Sequence, residues 1–286
     1  MVGGVNYRHA FHAGNVGDVF KHVVLITLLD RLVTKPAPLF YLDTHAGRGS
    51  YDLRGSEATR GAEWMEGVGR LLAAEGMPPE VDRYVNMIRA FNAGGPSSDM
   101  RFYPGSPLLS LRILRKEDRK VFVEVQPEEA AQLREATRGR RNLSVLEEDG
   151  YAVLKAQLPP RENRGLVLID PPYEAATELD DLGRNITAAH QRWPNGLFCA
   201  WYPLKADQDA SHLHSAVVNA GIRKVLVLEL SVRPADSPAG LIGSGLMLIN
   251  PPWQLDDRMR IVLPALHQRL SLAGEGMTRV EWLAGD

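Results

Sequence analysis

Short apolar runs that alternate with longer amphipathic stretches are the feature that most constrains the fold of this 286-residue chain. Runs rich in Val, Ile and Leu between helical patterns are typical of a parallel sheet covered by helices on both faces. Seven runs have this character: 39–42, 121–124, 143–146, 166–169, 197–200, 225–228 and 246–249. A further run at 278–282 is a candidate edge strand. We therefore predict an α/β fold with a seven-stranded, mainly parallel sheet.

The distance between the first two runs indicates an insertion. The first run is followed by Asp43, and the second ends only at Glu124, whereas a strand–helix–strand unit takes about 30 residues. Between them, apolar residues recur at helical spacing over 58–74 and again over 81–91. We predict the following division: a main domain of residues 1–50 and 104–286, and an inserted helical subdomain of residues 51–103.

Composition excludes several classes of protein. The formal net charge of -2 neither indicates nor excludes nucleic-acid binding. Cys199 is the only cysteine, so an internal disulfide framework is impossible, and its apolar neighbours predict a buried core thiol. No apolar run approaches the roughly 20 residues that span a bilayer, and residues 1–9 lack the pattern of a secretory signal. We predict a cytoplasmic protein without a membrane segment.

The strongest functional signal is Asp170-Pro171-Pro172-Tyr173, which directly follows the fourth apolar run. An adenine amine is a poor nucleophile because its lone pair is delocalised into the ring, so its two N–H bonds need acceptors that favour a tetrahedral nitrogen. Asp170 and the Pro171 carbonyl can accept these two hydrogen bonds, while Tyr173 offers a face to a flipped base. After methyl transfer the nitrogen is strongly acidic, so Asp170 need only be a modest base. The motif predicts methylation of an exocyclic adenine amine, with Asp170, Pro171 and Tyr173 as catalytic residues.

A second copy of this motif, Asn250-Pro251-Pro252-Trp253, competes with the first. Asn-Pro-Pro-aromatic is itself an accepted form of the motif in amine methyltransferases. The copies differ in position, because Asn250 follows the seventh apolar run and Asp170 the fourth. Ligands of open α/β sheets bind at the carboxyl ends of central strands, near the point where the strand order reverses. We therefore predict that Asp170 is catalytic and that Asn250 forms a structural turn.

The ends of the first three runs carry groups that suit a nucleoside-bearing cofactor. The turn at 43–49 contains glycine but lacks the full G-x-G-x-x-G pattern, which argues against a nicotinamide cofactor. Glu124 can bind both ribose hydroxyls, and Asp149 with Gly150 can read an adenine amine. Each acidic residue alone is equally well explained as a helix cap or a surface charge. Their order along the chain, with Asp170 next, favours a cofactor site.

The N-terminal segment is polar, aromatic and partly cationic. Tyr7, Arg8 and Lys21 are candidates to contact an RNA phosphate or to stack on a base. The alternative is a metal site with four candidate ligands: His9, His12, His22 and His45. Because zinc sites usually bring cysteines or an acidic ligand at fixed spacing, we predict no metal. The compact basic cluster at 138–141 fits a solvated loop as well as an RNA contact.

Eight short segments together resemble one known family over nearly the whole chain: 7–9, 11–15, 21–22, 41–47, 103–107, 170–173, 201–203 and 250–253. The family is that of the bacterial 23S ribosomal RNA adenine-N6 methyltransferases of the RlmJ type. The resemblance implies a Rossmann-like class I methyltransferase fold with a small inserted helical subdomain. It also implies S-adenosylmethionine as the methyl donor, 23S ribosomal RNA as the substrate, and a monomer.

The resemblance also implies roles for individual positions. It implies contacts to S-adenosylmethionine from His22, His45, Ser106, Glu124, Asp149, Gly150 and Asp170. Tyr7 matches a position assigned to the substrate RNA. Two positions depart from the family pattern. Gln126 stands where the family commonly has histidine, so no imidazole role carries over, and Arg48 in the glycine-containing turn adds a positive charge beside the cofactor or substrate.

The sequence leaves two other functions open. The same catalytic motif serves DNA adenine methyltransferases. A non-catalytic RNA-binding assembly factor could also keep the cofactor fold as a scaffold. The intact carboxylates Glu124, Asp149 and Asp170 disfavour the assembly factor, because a site without chemistry has no need of them.

Overall fold

The computed structural model describes residues 9–93, 100–206, 209–238, 240–271 and 274–285. The strands of these residues are β1 (Phe40–Asp43), β2 (Ser50–Asp52), β3 (Phe102–Pro104), β4 (Arg119–Val123), β5 (Leu143–Leu146), β6 (Gly165–Ile169), β7 (Leu197–Lys205), β8 (Val225–Ser231), β9 (Leu241–Ile249) and β10 (Thr278–Ala284). The α-helices are α1 (Val16–Val33), α2 (Ser56–Gly61), α3 (Val68–Leu72), α4 (Pro79–Phe91), α5 (Ser106–Ser110), α6 (Pro127–Ala136), α7 (Gly150–Gln157), α8 (Glu178–Arg192), α9 (Ser211–Asn219) and α10 (Leu255–Leu270). Short 3-10 helices span His9–Phe11 and Glu63–Met65.

The main sheet has eight strands in the order β10-β8-β9-β7-β6-β1-β4-β5. Strands β5, β4, β1, β6 and β7 are parallel, whereas β9, β8 and β10 add antiparallel pairs beyond β7. Each of the seven predicted runs overlaps one strand, and the candidate edge run at 278–282 forms the eighth, β10. The predicted α/β fold with a mainly parallel sheet is confirmed, and the sheet has one edge strand more than the seven.

Apolar cores cover both faces of the sheet. Every residue of β1 and β6 is buried, as expected for central strands of a parallel sheet. One core joins the sheet to α1, α4 and α10, and the other joins it to α7, α8 and α9. Cys199 on β7 is fully buried, which confirms the predicted core thiol, and burial raises its pKa. Among the described helices, none is both long and apolar enough to cross a membrane.

The segment between β1 and β4 contains α2, α3 and α4. Strands β2 and β3 flank these helices along the chain and pair with each other as an antiparallel ribbon. The helical content expected there is present. Val81, Tyr84 and Ile88 of α4 are buried in the same core as α1. The division into a main domain and a separate subdomain stays a prediction, because these helices share their packing with the rest of the chain.

Strand β7 extends past the end of its parallel neighbour. Strand β6 ends at Ile169, opposite Ala200, whereas β7 continues to Lys205 in pairing with β9. Residues 201–205 therefore project beyond the carboxyl edge of the parallel strands and form one wall of the space above it.

Candidate active site

A cleft of about 800 Å³ lies at the carboxyl ends of the parallel strands. Its position between β1 and β6 is where the strand order reverses, the usual ligand site of such sheets. Ten of the residues singled out from the sequence line it: Lys21, His22, His45, Ser106, Glu124, Asp149, Gly150, Asp170, Pro171 and Tyr173. Tyr7 and Arg8, which were predicted to contact RNA, lie outside the described residues. The individual roles of all these residues stay predictions.

A chain of charged groups connects α1 to Asp170. Lys21 Nζ donates to Asp170 Oδ2 at 2.5 Å and to Asp18 Oδ1 at 2.8 Å. Asp18 Oδ2 also accepts from the Gly14 N–H at 2.9 Å and lies 3.0 Å from His9 Nε2. Lys21 and Asp18 are only 5% and 2% exposed. Asp18 was not found from the sequence, although it stands three positions before Lys21 on the same helix face.

The surroundings of Lys21 and Asp18 keep both side chains charged. Burial lowers the pKa of Lys21, but Asp170 and Asp18 raise it by more, so the net value is well above the usual one. Burial likewise raises the pKa of Asp18, and His9 and Lys21 lower it by more, to well below the usual range. Lys21 is therefore cationic and orients the Asp170 carboxylate through one oxygen. No other described residue bonds Asp170, so its second oxygen can accept an N–H from a substrate.

A side-chain hydrogen bond holds the loop after Asp170, which includes a residue with an uncommon backbone conformation. Tyr173 has φ of 53°, an uncommon conformation for a bulky residue. Its hydroxyl donates to the carbonyl of Trp201 at 2.5 Å, and the two rings meet edge to face with centroids 5.4 Å apart. This anchor holds the Tyr173 ring in the wall of the cleft, beside Asp170.

The second motif copy lies elsewhere. The Asn250 amide donates to the carbonyls of Pro194 and Gly196 at 2.7 and 2.9 Å, which ties it to the loop before β7. Asn250 is not among the residues that line the cleft, and the Trp253 side chain is 83% exposed. These contacts are those of a structural turn and favour Asp170 as the catalytic copy.

The other half of the cleft is built on the end of β4 and the start of α7. Glu124 accepts backbone hydrogen bonds from Gly47 at 3.0 Å and Gln126 at 2.8 Å, and burial raises its pKa. A Cβ on Gly150 would lie 2.3 Å from the Thr44 carbonyl oxygen, so only glycine permits this close approach of α7 to the β1 turn. Glu124 is thus oriented toward the cleft by two backbone donors.

Asp149 has the capping function that the sequence left open. Its side chain accepts from the Ala152 N–H at 2.8 Å and caps α7. It also lines the cleft. A cap and a cofactor contact are compatible, because a carboxylate has about four acceptor sites.

Buried polar atoms without partners lie next to the cleft. His22 Nδ1 lies 2.7 Å from the Tyr103 hydroxyl, but His22 Nε2 has no partner, and burial lowers the His22 pKa to about 3. Ser106 Oγ donates to Asp43 Oδ2 at 2.7 Å, whereas Asp43 Oδ1 has no partner, and burial raises the Asp43 pKa to about 6. Such atoms usually have partners, so these two are consistent with a polar ligand. From the sequence alone, Asp43 is recognisable only as the first residue of the glycine-containing turn.

The four histidines weighed as metal ligands have separate partners. His45 Nδ1 lies 2.8 Å from the Thr44 hydroxyl, and burial lowers the His45 pKa to about 4. His12 Nδ1 lies 2.9 Å from Glu63, which raises the His12 pKa by hydrogen bonding. Within the described parts of the chain, no group of three or more His, Cys, Asp or Glu side chains is arranged to hold a metal ion.

The segment between β2 and β3 supports the N-terminal wall of the cleft. Glu63 accepts from the Asn15 amide at 2.9 Å in addition to its contact with His12. A Cβ on Gly67 would lie 2.1 Å from the Gly14 carbonyl oxygen, and Val68 N–H donates to that oxygen at 2.9 Å. Asn15 caps α1 by accepting from the Asp18 N–H. The inserted helices therefore fix the start of α1, from which Lys21 reaches Asp170.

Two basic features of the sequence are not part of the cleft. Arg48 bonds Glu129, with Nε 2.7 Å from Oε2, and pairs with Glu57 at 3.4 Å, so its charge is balanced. The basic cluster at 138–141 precedes β5, whose opposite end faces the cleft. The cluster therefore lies at the far edge of the sheet.

Comparisons with known proteins agree with the geometry. A family model described as "Ribosomal RNA large subunit methyltransferase D, RlmJ" matches residues 36–284. The chain belongs to the RlmJ family. Its relatives from Haemophilus influenzae and Escherichia coli, both named "Ribosomal RNA large subunit methyltransferase J", are 40% and 39% identical over 279 residues, which cover 98% of this chain and 99% of each relative. The RlmJ-type resemblance and the methyltransferase assignment are thus confirmed.

A solved structure shares the fold. Protein LPL1258 from Legionella pneumophila superposes with a TM-score of 0.87 at 34% sequence identity, covering 95% of this chain and 98% of that one. The two chains therefore share the same overall architecture, with helices on both faces of a mainly parallel sheet.

Proposed function

We propose that this chain transfers a methyl group from S-adenosylmethionine to the N6 amine of an adenine in 23S ribosomal RNA. The observation that carries the proposal is Asp170, held by Lys21 at the edge of a cleft whose other half presents Glu124 and Gly150. The names of the relatives support ribosomal RNA of the large subunit as the substrate. The cytoplasmic location and the monomeric state stay predictions.

The residues of the cleft fit S-adenosylmethionine. Glu124 would bind the ribose hydroxyls, and the turn at Gly150 lets an adenine approach the backbone beside His45. His22 Nε2 and Asp43 Oδ1, which lack partners, would face the amino-acid end of the molecule. When bound, the cofactor supplies an electrophilic methyl group on a cationic sulfonium, so the protein needs to orient groups more than to activate them.

The chain's own residues then act on the adenine. Asp170 and the Pro171 carbonyl each accept one N–H of the amine, which directs its lone pair toward the donor. Tyr173 provides the aromatic contact for the flipped base. Lys21 keeps the Asp170 carboxylate oriented. The surplus proton of the product leaves to Asp170 or to water, because the methylated nitrogen is strongly acidic.

Labelled methyl transfer to unmodified 23S ribosomal RNA tests this function, with the product base identified by mass spectrometry. Asp170→Ala should abolish transfer while the far-ultraviolet circular dichroism spectrum stays that of the wild type. Asn250→Ala, in the other motif copy, is the matched control and should retain activity. Activity in Asp170→Ala, or its loss only in Asn250→Ala, contradicts the assignment of the catalytic motif.

The substrate class is tested in the same assay. Duplex DNA should accept no methyl group where 23S ribosomal RNA does. Preferred methylation of DNA would replace the proposal by a DNA adenine methyltransferase. RNA binding without any methylated product would replace it by an assembly factor. Mapping of methyl groups on 23S ribosomal RNA from cells with and without this protein should show one adenine that loses its methyl group.

A further inference from the structure

The projecting part of β7 presents one face to the cleft. Trp201, Pro203 and Lys205 alternate along the strand and all three line the cleft, as side chains at every second position share a face. Tyr202, between them, points to the other side, where its hydroxyl donates to Glu229 at 2.7 Å. We call Trp201, Pro203 and Lys205 the β7 strip. It combines an aromatic ring, an apolar ring and a cation.

The β7 strip begins at the catalytic loop and leads away from it. Trp201 contacts Tyr173 through its ring and through its carbonyl, which accepts the Tyr173 hydroxyl. Four strand positions separate Trp201 from Lys205, about 13 Å at about 3.3 Å per residue. The ammonium group is therefore placed over the approach to the cleft and not over Asp170.

Lys205 differs from the other lysine of the cleft. Lys21 is buried and bound to two carboxylates. Lys205 is partly exposed, and no carboxylate of a described residue lies within ion-pair distance of it. Its charge is therefore available to an external anion.

Carboxylates outnumber lysines in the lining of the cleft, so a polyanion that enters it needs a cation to contact. Six carboxylates line the cleft: Asp18, Glu124, Glu129, Asp149, Asp170 and Glu178. Lys21 pairs with Asp18 and Asp170, and Arg48 pairs with Glu129. Glu124, Asp149 and Glu178 have no described basic partner, so they suit a cationic cofactor and repel an approaching phosphate. Among the described residues that line the cleft, Lys205 is the lysine that has no carboxylate partner, so the β7 strip is the described side that favours a phosphate.

We propose that the β7 strip binds the nucleotide that flanks the target adenine, with its sugar and base against Trp201 and Pro203 and its phosphate at Lys205. The inference rests on the proposed function and names the part of the site that holds the RNA strand. Aromatic contact combined with a cation that follows the backbone is the usual chemistry of single-stranded RNA binding. Lys205 acts on RNA binding alone, whereas Trp201 also supports Tyr173 in the catalytic loop.

Lys205→Ala tests the phosphate contact in steady-state methyl transfer to a 23S ribosomal RNA transcript at several salt concentrations. We expect the KM for RNA to rise about five- to tenfold at low salt. The slope of log KM against log salt should fall by about 0.7, the value for one phosphate of a single strand. The kcat at saturating RNA and the Kd for S-adenosylmethionine should not change. Lys116→Ala is the matched control, because Lys116 is exposed and precedes β4 at the opposite edge of the sheet.

Substitutions of Trp201 test the apolar part of the β7 strip. Trp201→Phe should raise the KM for RNA less than Trp201→Leu does, because the aromatic face remains and only the indole Nε1, which has no partner among the described residues, is lost. Trp201→Leu should raise that KM. If Lys205→Ala leaves the KM for RNA and its salt slope unchanged while the wild type methylates RNA, the proposed role of the β7 strip is wrong and the proposed function stands. Absence of RNA methylation by the wild type overturns both.

Discussion

Asp18→Asn should destabilise the protein, although Asp18 contacts no substrate in the proposed mechanism. The carboxylate accepts from Lys21 and Gly14 and contacts His9. Asparagine keeps the shape but carries one oxygen and one NH₂ group. Whichever way the amide is turned, its NH₂ faces a donor, either the Lys21 ammonium or the Gly14 N–H. The substitution therefore leaves at least one buried donor without its acceptor.

The expected loss of stability depends on the burial of Asp18 and on the second carboxylate partner of Lys21. Removing one member of a buried ion pair costs about 3–5 kcal/mol, and one hydrogen bond to a charged group contributes about 1.5–3 kcal/mol. Lys21 keeps its second carboxylate, Asp170, 2.5 Å away, so the lower end of the range applies. We expect the free energy of unfolding to fall by about 3 kcal/mol. With a urea m-value of about 3 kcal/mol/M, the midpoint should shift by about 1 M.

Urea unfolding followed by tryptophan fluorescence measures this change, and a double-mutant cycle with Lys21→Met isolates the pair. The two substitutions should couple by at least about 1 kcal/mol, because each removes the other's partner. The pH dependence has a defined sign. The folded pKa of Asp18 is lowered, so its contribution is present above the unfolded value of about 3.9 and is lost as pH falls through the folded value. A midpoint equal to that of the wild type at pH 7, or strictly additive effects in the cycle, would refute the buried network.

The other predictions concern a turn, a close contact and the N-terminal wall. Asn250→Ala should lower stability by about 1–3 kcal/mol in urea unfolding, because two hydrogen bonds to backbone carbonyls are lost, with methyl transfer retained; loss of transfer would contradict this. Gly150→Ala should reduce S-adenosylmethionine affinity at least tenfold in calorimetry, since its Cβ meets a backbone oxygen at 2.3 Å; unchanged affinity would exclude a cofactor contact at the turn around Gly150. Glu63→Gln should flatten the pH dependence of stability above pH 6.5. Glu63 raises the His12 pKa, so the wild type loses this stabilisation as pH rises through the folded His12 value. Glu66→Gln, whose partner is 3.9 Å away, should leave that dependence as in the wild type.

Local motifs could be found from the sequence, and long-range contacts could not. Asp170-Pro171-Pro172-Tyr173 was recognisable because its chemistry lies in adjacent residues. The role of Asp18 depends on Lys21 turning inward to a residue 149 positions away, and no spacing encodes that contact. Glu63 was missed for the same reason, since its partners belong to the N-terminal segment.

In strand β7 the apolar pattern correctly predicts the start of the strand and misses its last five residues. The apolar run ends at Ala200, and Pro203 argues against a longer strand because proline cannot donate to a ladder. The strand nevertheless continues to Lys205, in a part where it pairs with β9 and has passed the end of β6. Proline is tolerated where a strand has a neighbour on one side only. The residues of the β7 strip could therefore not be recognised as one surface from the sequence.

The contact between Lys21 and Asp170 also bears on how the protein is made. Helix α1 emerges from the ribosome early, whereas β6 follows only after most of the sheet has been synthesised. Until then Lys21 lacks its second carboxylate, Asp170, and must stay more hydrated, because burial of incompletely paired charges is costly. Helix α1 therefore cannot settle into its final position during early translation. The methyl-transfer site closes among the last events of folding, so a chain interrupted before β6 has neither the site nor a stably docked first helix.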